Sequence, residues 1–538
     1  MVPPSDPTSD TNSPLPAVIE ARGLTLHAGP KCLLRDASFS IDRGKFVVLL
    51  GASGSGKSSL LRVLAGLEST GDGARVQWTG EISYKPESIR QRIGLVFQQP
   101  ALLDEWSPVD NVQIAIDHAD AKRSTVSQTS PVRSASGWLE HLGIPASVRI
   151  NQLSGGQRQR LSLAQALASG PAVLFYDEPT TGLDDHTASR ALEWIGQAHR
   201  EGQVTTVVVT HDYERFAEMA EEFLWIDPSR QAIERYEQRD LQRLREAMQI
   251  DHGSATAEGS VPATKPGLPL GDMIARLLEG MGEVALWLGR GLAALLMWGK
   301  KGRWNVRFFL HHARLVFGGT AILYLAIAGG IVGFVTTYFS LRYLPFRVYT
   351  EPLLMEELVS AIGFSLYRVL IPVLASLLIA ARSAAAVSSD LGNKRYGGQL
   401  EAMQLLGASP HRYLLPAVLW SFLLGTWLLT QIAYLAASLS SQLSFVAAQP
   451  RLGASFWQQN FTARLYQPDQ IGYAGLGWNL CKMGVVGFGI GLLVYGLAMR
   501  PKWSGASVSR GITTTILWCT LWALVVHMAF AFFEFQQP

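Results

Sequence analysis

The chain has 538 residues, 17% charged and 48% apolar, with a formal net charge of +3. That length accommodates two or three domains, and so small a net charge gives no electrostatic case for a nucleic-acid partner. The three cysteines, Cys32, Cys481 and Cys519, form no spaced pair and point to neither a disulfide framework nor a zinc site.

Residues 1–17 are rich in Pro, Ser and Asp. They are expected to form a disordered tail, and they lack the basic and apolar regions of a signal peptide. The apolar run Phe46-Val47-Val48-Leu49-Leu50 then leads into Gly51-Ala52-Ser53-Gly54-Ser55-Gly56-Lys57-Ser58-Ser59 and on into Leu60-Leu61-Arg62. This is a strand, a glycine-rich turn and a helix start, with the spacing of a phosphate-binding loop. Glycines let backbone N–H groups point at a phosphate chain, and the helix N-terminus adds positive potential. Lys57 is expected to reach the β- and γ-phosphates and Ser58 to hold Mg²⁺. Gly51, Ser53, Gly54, Ser55, Gly56, Lys57, Ser58 and Ser59 are therefore the first candidate nucleotide-binding residues.

Four further segments follow in order. Gly94 to Gln98 is a strand ending in glutamine, and Leu153-Ser154-Gly155-Gly156-Gln157 opens a helix. Val173 to Glu178 is an apolar strand ending in two carboxylates, and Val207 to His211 is a strand ending in histidine. Together these segments resemble the ABC-transporter nucleotide-binding domain over about residues 18–240. The domain is drawn at 18–250, an α/β P-loop NTPase.

The resemblance implies ATP and Mg²⁺ as cofactors, with Ser58, Gln98 and Asp177 at the metal. It implies Glu178 as the general base that orients water, and His211 at the γ-phosphate. Ser154, Gly155, Gly156 and Gln157 would close over ATP bound to a second copy, and Asp184 belongs to the loop that follows Pro179-Thr180-Thr181-Gly182-Leu183. One set of motifs per chain makes a homodimer the smallest working unit. The usual adenine-stacking aromatic is replaced by Ala28, with His27 as an alternative platform.

Ala121 to Ser136 is polar and reads as a surface insertion, and residues 251–269 read as a linker. Between Leu270 and Gly299 the charges Asp272, Arg276, Glu279, Glu283 and Arg290 share one helical face. Trp287, Trp298 and Lys300-Lys301-Gly302-Arg303 favour a helix lying in the membrane interface.

Five apolar stretches long enough to span follow: Leu315–Leu341, Leu358–Ala381, the first part of Tyr413–Pro450, Met483–Met499 and Gly511–Phe533. The expected architecture is thus an α/β ATPase followed by an all-α membrane domain, one interfacial helix and five spans. An ATPase that must meet cytoplasmic ATP, with an odd number of spans, puts the C-terminus in the periplasm. Lys394, Arg395, Arg412, Arg500, Lys502 and Arg510 on the inner side agree with this orientation.

Ile371-Pro372-Val373-Leu374-Ala375, Ala380-Ala381-Arg382-Ser383-Ala384, Asp390-Leu391-Gly392, Gln399-Leu400-Glu401-Ala402-Met403 and Leu406-Gly407-Ala408-Ser409-Pro410 resemble the MlaE permease family over about 270–538. That resemblance implies ATP-driven transport of lipid, phospholipid above all, at a bacterial inner membrane, with an MCE-domain periplasmic lipid-binding protein as partner. An exporter of drugs or other hydrophobic molecules, and a non-transporting anchored ATPase, are the competing functions. The family's acidic residue after Arg368 is Val369 here, and Asp390 stands where it has glutamate. Arg368, without an acidic neighbour in sequence, is either a contact for an anionic headgroup in the membrane cavity or a side chain that snorkels to the outer interface. Glu401, on a short helix between spans two and three, is the candidate coupling residue, expected near Gln98.

Overall fold

A computed structural model describes residues 16–68, 76–119, 134–181, 185–202, 204–251, 288–296, 299, 301–343, 347–466, 472–502 and 504–534. The N-terminal tail, most of the 121–136 insertion, Asp184, the 252–269 linker and most of the expected interfacial helix lie outside these residues; of that helix, 288–296 is helical. The chain forms two compact units. One is Met1–Gly267 with Gly397–Ala408, and the other is Leu268–Tyr396 with Ser409–Pro538. The short segment around Glu401, which lies between two spans in sequence, therefore packs with the first unit.

The first unit is built on two sheets. β1 (Ala17–Ala28), β2 (Lys31–Asp42) and β4 (Gln77–Tyr84) form an antiparallel sheet in the order β2-β1-β4. The larger sheet has the order β5-β6-β7-β3-β8-β9. Its strands are β3 (Phe46–Gly51), β5 (Ile93–Val96), β6 (Val173–Asp177), β7 (Thr205–Val209), β8 (Glu222–Asp227) and β9 (Ala232–Glu237). All neighbours are parallel except β8 and β9.

The parallel strands are apolar along their length because both faces are covered. Val47, Leu49, Phe175, Val207 and Leu224 face one core, and Phe46, Val48, Leu174, Val208 and Phe223 face the other. A third cluster, around Val112, Leu139, Ile150 and Leu161, joins α2 (Pro108–His118), α3 (Ala135–His141) and α4 (Gly155–Ala168). Because β3, β6 and β7 are parallel neighbours, Gly51, Asp177 and Val209 end at one edge of the sheet. That carboxyl-terminal edge is where open α/β sheets place their ligands.

The second unit is helical. α7 (Gly302–Phe317) and α8 (Gly319–Arg342) are separated at Gly318, whose extended backbone (ψ 172°) breaks the helix. α9 (Arg347–Ser365) runs through a π-helical turn, Leu366–Leu370, into α10 (Ile371–Tyr396). α12 (Pro410–Ala448) is a single helix of 39 residues, so the long Tyr413–Pro450 stretch contains one span. α13 (Gly453–Phe461), α14 (Leu476–Ala498) and α15 (Gly505–Glu534) complete the unit, α11 being the short helix Gln399–Leu405 of the first.

Among the described residues, five helices are long and apolar enough to cross a membrane, matching the count from sequence. α8 and α12 approach so closely that a Cβ on Gly329 or Gly333 would overlap the carbonyl oxygens of Ala433 and Ala437. Small residues at membrane helix contacts permit such spacing, and packing then holds the helices together.

Candidate active site

The loop between β3 and α1 (Lys57–Leu64) carries the phosphate-binding motif. Gly54 (φ 78°) and Gly56 (φ 96°) are left-handed, a region that only glycine enters cheaply. At Gly56 a side chain would also strike Leu33 on β2. α1 is amphipathic: Leu60, Leu61, Val63 and Leu64 are buried, which fixes its N-terminus at the sheet edge.

Lys57 is only 7% exposed and its Nζ donates to the carbonyls of Gly51 (2.7 Å) and Ala52 (3.0 Å). The ammonium is thus folded back over the loop mouth. Burial pulls its pKa below the usual lysine value, while Glu178 and Asp177 oppose that shift. Ser53, Gly54 and Ser58 are exposed and Ser59 is half-buried. Ser55 is buried, and its hydroxyl has no hydrogen-bond partner among the described residues.

At the end of β6, Asp177 Oδ1 accepts a hydrogen bond from Ser58 Oγ at 2.8 Å. Burial raises the Asp177 pKa, and the Ser58 bond acts against it. The two oxygen donors expected at Mg²⁺ are therefore adjacent, and a hard cation prefers such oxygen ligands. The residues present fit the ion.

Glu178 follows with a left-handed backbone (φ 48°), and its N–H donates to Val209 O at 2.9 Å. A non-glycine residue in that region carries strain, held here by the neighbouring strand. Its carboxylate is held on one oxygen and faces His211 with the other. Oε2 accepts from Thr181 Oγ1 (2.9 Å) and Gln98 Nε2 (3.3 Å), and Oε1 lies 3.5 Å from His211 Nδ1. Glu178, Gln98 and His211 thus converge, from three different strand ends. Thr181, three residues after Glu178 and not among the expected site residues, joins the site through its bond to Glu178.

α4 begins with a reciprocal cap. Ser154 Oγ accepts from Gln157 N (3.2 Å), and Gln157 Oε1 accepts from Ser154 N (2.9 Å). Ser154 and Gly155 are exposed and Gly156 is half-buried, so the start of this helix is open to solvent. Ala28 is half-buried and packs against the first core, and His27 pairs with Cys32 and Gln77 across the sheet.

Glu401 lies on α11. Its Oε1 accepts from Arg62 Nη2 at 3.2 Å, and Arg62 Nε donates to Glu68 Oε1 at 2.9 Å. Gln399 Nε2 donates to Asp104 Oδ2 at 3.1 Å. Gly398, just before the helix, lies against Phe97 and Ala101. The helix therefore docks beside the segment that follows Gln98, but the ionic partner of Glu401 is Arg62. The sequence offered a signal that was not used: Arg62 is four residues after Ser58 and so shares its face of α1.

In the second unit Arg368 sits in the π turn, a feature common at functional sites. The sequence shows no acid beside it, but the fold supplies one. Arg368 Nε donates to Glu534 Oε1 at 2.8 Å, and Lys482 Nζ donates to Glu534 Oε2 at 3.1 Å and to Arg368 O at 2.9 Å. The premise for a lipid headgroup as the counter-ion of Arg368 is corrected accordingly: a protein carboxylate fills that place. Glu534 escaped notice because it is 166 residues away, one position beyond the last apolar stretch. Asp390 is likewise engaged, accepting from Lys394 Nζ at 2.5 Å and from His311 Nε2 at 3.3 Å.

Comparison with known proteins agrees with both halves. The ABC transporter family matches residues 34–181 and the Permease MlaE family matches residues 309–533. The sulfate/thiosulfate import ATP-binding protein of Bordetella parapertussis is 37% identical over 214 residues, 39% of this chain and 60% of its own length. The protein of the same name from Bacillus cereus is 35% identical over 211 residues, 38% of this chain and 57% of its own. The chain thus spans about three fifths of the length of these curated relatives. A solved ATP-binding cassette in a dimeric post-hydrolysis state bound to ADP and Pi is 26% identical with a TM-score of 0.34, covering 41% of this chain and 98% of that one. With its motifs in order, its sheet edge assembled and its five candidate spans, this chain is a member of the ABC transporters in which an ATPase domain is followed by an MlaE-type permease domain.

Proposed function

We propose that the chain is an ATP-driven lipid transporter of the bacterial inner membrane, working as a homodimer on phospholipid. The single observation that carries the reading is the Glu178 carboxylate, held by Gln98 and Thr181 and facing His211 beside Asp177, Ser58 and Lys57, in a chain that continues into an MlaE-type permease. ATP would lie along the loop with its phosphates at the N-terminus of α1. Ser58 and Asp177, with Gln98, would hold Mg²⁺, which neutralises charge on the transferring phosphoryl group. Glu178 orients the attacking water and accepts its proton. His211 faces the same place and contacts the γ-phosphate. Residues Ser154 to Gln157, open to solvent in one protomer, complete the site of the other.

The permease family supports lipid as the substrate and an MCE-domain periplasmic protein as the partner that delivers or receives it. Purified dimer reconstituted in phospholipid vesicles is the test. ATP-dependent lipid movement to a co-expressed MCE-domain protein is the expected result. ATPase activity stimulated by drugs, without any such partner, would overturn the lipid reading.

The contact of Glu401 with Arg62 is the proposed coupling point. Glu401→Lys places two cations together, and like charges at that distance repel. ATP hydrolysis by the solubilised dimer is expected to survive while lipid movement falls. Normal lipid movement in this variant would reduce Glu401 to a docking residue without a role in coupling.

Five spans after a cytoplasmic ATPase leave the end of α15 in the periplasm. A reporter fused after Pro538 that functions only in the periplasm is expected, and activity confined to the cytoplasm would require an even number of spans.

A further inference from the structure

One arginine on the phosphate-loop helix stands between the metal end of the nucleotide site and the short helix α11. Arg62 is four residues after Ser58, one turn along the same face of α1. Ser58 Oγ donates to Asp177 Oδ1, so the two oxygens expected at Mg²⁺ lie together at the start of that turn. Burial, with Glu178 adding to it, pushes the Asp177 pKa up, and the Ser58 bond and the charges of Arg62 and Lys57 act against the rise. The Arg62 charge is therefore felt at the metal carboxylate.

The guanidinium bonds two other carboxylates. Nε donates to Glu68 Oε1 at 2.9 Å and Nη2 to Glu401 Oε1 at 3.2 Å. The Arg62 side chain is 16% exposed and those of Glu68 and Glu401 are 8%. The end of α1 explains how Glu68 reaches this place. Gly66 is left-handed (φ 71°), its N–H donates to Val63 O, and Leu67 N donates to Arg62 O, both at 3.0 Å. This is a Schellman turn with glycine where the backbone favours it, and it folds Glu68 back beside Arg62. Glu68 comes from the ATPase part of the sequence and Glu401 from the segment between two spans. One planar fork thus holds a resident acid and a delivered one, an arrangement that suits arginine better than lysine.

We propose that Arg62 links the two sites: Glu68 aims its guanidinium, α11 docks on it through Glu401, and that contact favours Mg²⁺ at Ser58 and Asp177. The sign follows from charge. A divalent cation at Ser58 and Asp177 is repelled by Arg62, and a carboxylate held against the guanidinium offsets the repulsion. Partly buried charges such as these are only weakly screened by salt. Linkage is reciprocal, so whatever docking does for the ion, the ion does for docking, and the loaded site holds α11 more tightly than the empty one. Gln399 Nε2, bonded to Asp104 Oδ2 at 3.1 Å, holds the same helix independently of Glu401. Arg62, Glu68 and Glu401 touch no substrate; they are positioning residues. The inference rests on the reading of Ser58 and Asp177 as the oxygens that hold Mg²⁺.

The test is equilibrium ATP binding to the full-length dimer in detergent across a Mg²⁺ titration, which needs no turnover. Glu401→Gln keeps the shape and an acceptor oxygen and removes the charge. It is expected to raise the half-saturating Mg²⁺ concentration by about fivefold to tenfold, the low end of coupling between sites. ATP binding without Mg²⁺ should not weaken, which a general loosening of the ATPase unit would not spare. Glu68→Gln should move the Mg²⁺ midpoint in the same direction. In an Arg62→Gln background the Glu401→Gln change should no longer raise it, because both substitutions break the same link. An unmoved midpoint in Glu401→Gln overturns the proposal. An equal shift with and without Arg62 does so too, since the carboxylate would then act without the guanidinium. A parent protein whose ATP binding ignores Mg²⁺ fails the metal reading itself, and the linkage with it.

Discussion

Glu178→Gln is expected to bind ATP like the parent protein and to turn it over on the order of 10²–10⁴-fold more slowly, the range associated with removing a positioned general base. The geometry makes the comparison clean. Glu178 Oε2 accepts from Thr181 and Gln98, and a glutamine amide oxygen can still accept both bonds. The backbone bond from Glu178 N to Val209 O is also untouched. What is lost is the negative charge, the capacity to take a proton and the acceptor that faces His211 Nδ1 at 3.5 Å. The measurement is ATPase rate beside nucleotide affinity, each on purified dimer. Near-parental hydrolysis would remove Glu178 from the catalytic role and leave His211 or Gln98 to orient the water. A fall in affinity equal to the fall in rate would mean that the residue supports binding, not the chemical step.

How far the sequence already displayed this site depends on the range of each interaction. The phosphate loop, the paired carboxylates and the histidine each sit at a strand end, and their order along the chain was readable from apolar runs and turn residues. Strand order was not readable in that way: that β7 lies between β6 and β3 emerges only from packing, and it brings His211 within 3.5 Å of Glu178.

The five spans were legible because bilayer thickness sets a length that composition alone can meet. The helices run past those apolar stretches, since Leu476–Ala498 and Gly505–Glu534 continue through residues whose polarity is neutralised by partners. Lys482 and Glu534 illustrate this: each reads as an end to an apolar run, and together they form a buried ion pair. The same long-range pairing gave Arg368 its acid and Glu401 its Arg62. In each case the residue was marked by its type and local setting, and its partner was fixed only by the fold.

Lys57→Ala should act on the step that Glu178→Gln spares. Lys57 Nζ is held by Gly51 O and Ala52 O at the mouth of the loop, with Asp177 and Glu178 close enough to favour its charged form. An ammonium that already bonds two loop carbonyls can turn to a phosphate without being drawn from bulk water, so little ordering remains to be done on binding. Hydrogen bonds to charged groups are worth about 1.5–3 kcal/mol, which corresponds to a loss of about tenfold to about a hundredfold in ATP affinity.

Alanine also removes the group that fills the loop mouth, and the Gly51 and Ala52 carbonyls then face the phosphates without a cation between them, which adds repulsion to the lost bond. Lys57→Arg separates the two effects: it keeps the charge, but its planar fork does not reproduce a compact ammonium in this buried position. Affinity is expected to fall in both variants and further in alanine. Measured by equilibrium binding at fixed Mg²⁺, an unchanged affinity in Lys57→Ala would show that the loop backbone and the N-terminus of α1 hold the phosphates alone, and that Lys57 serves the loop's own conformation.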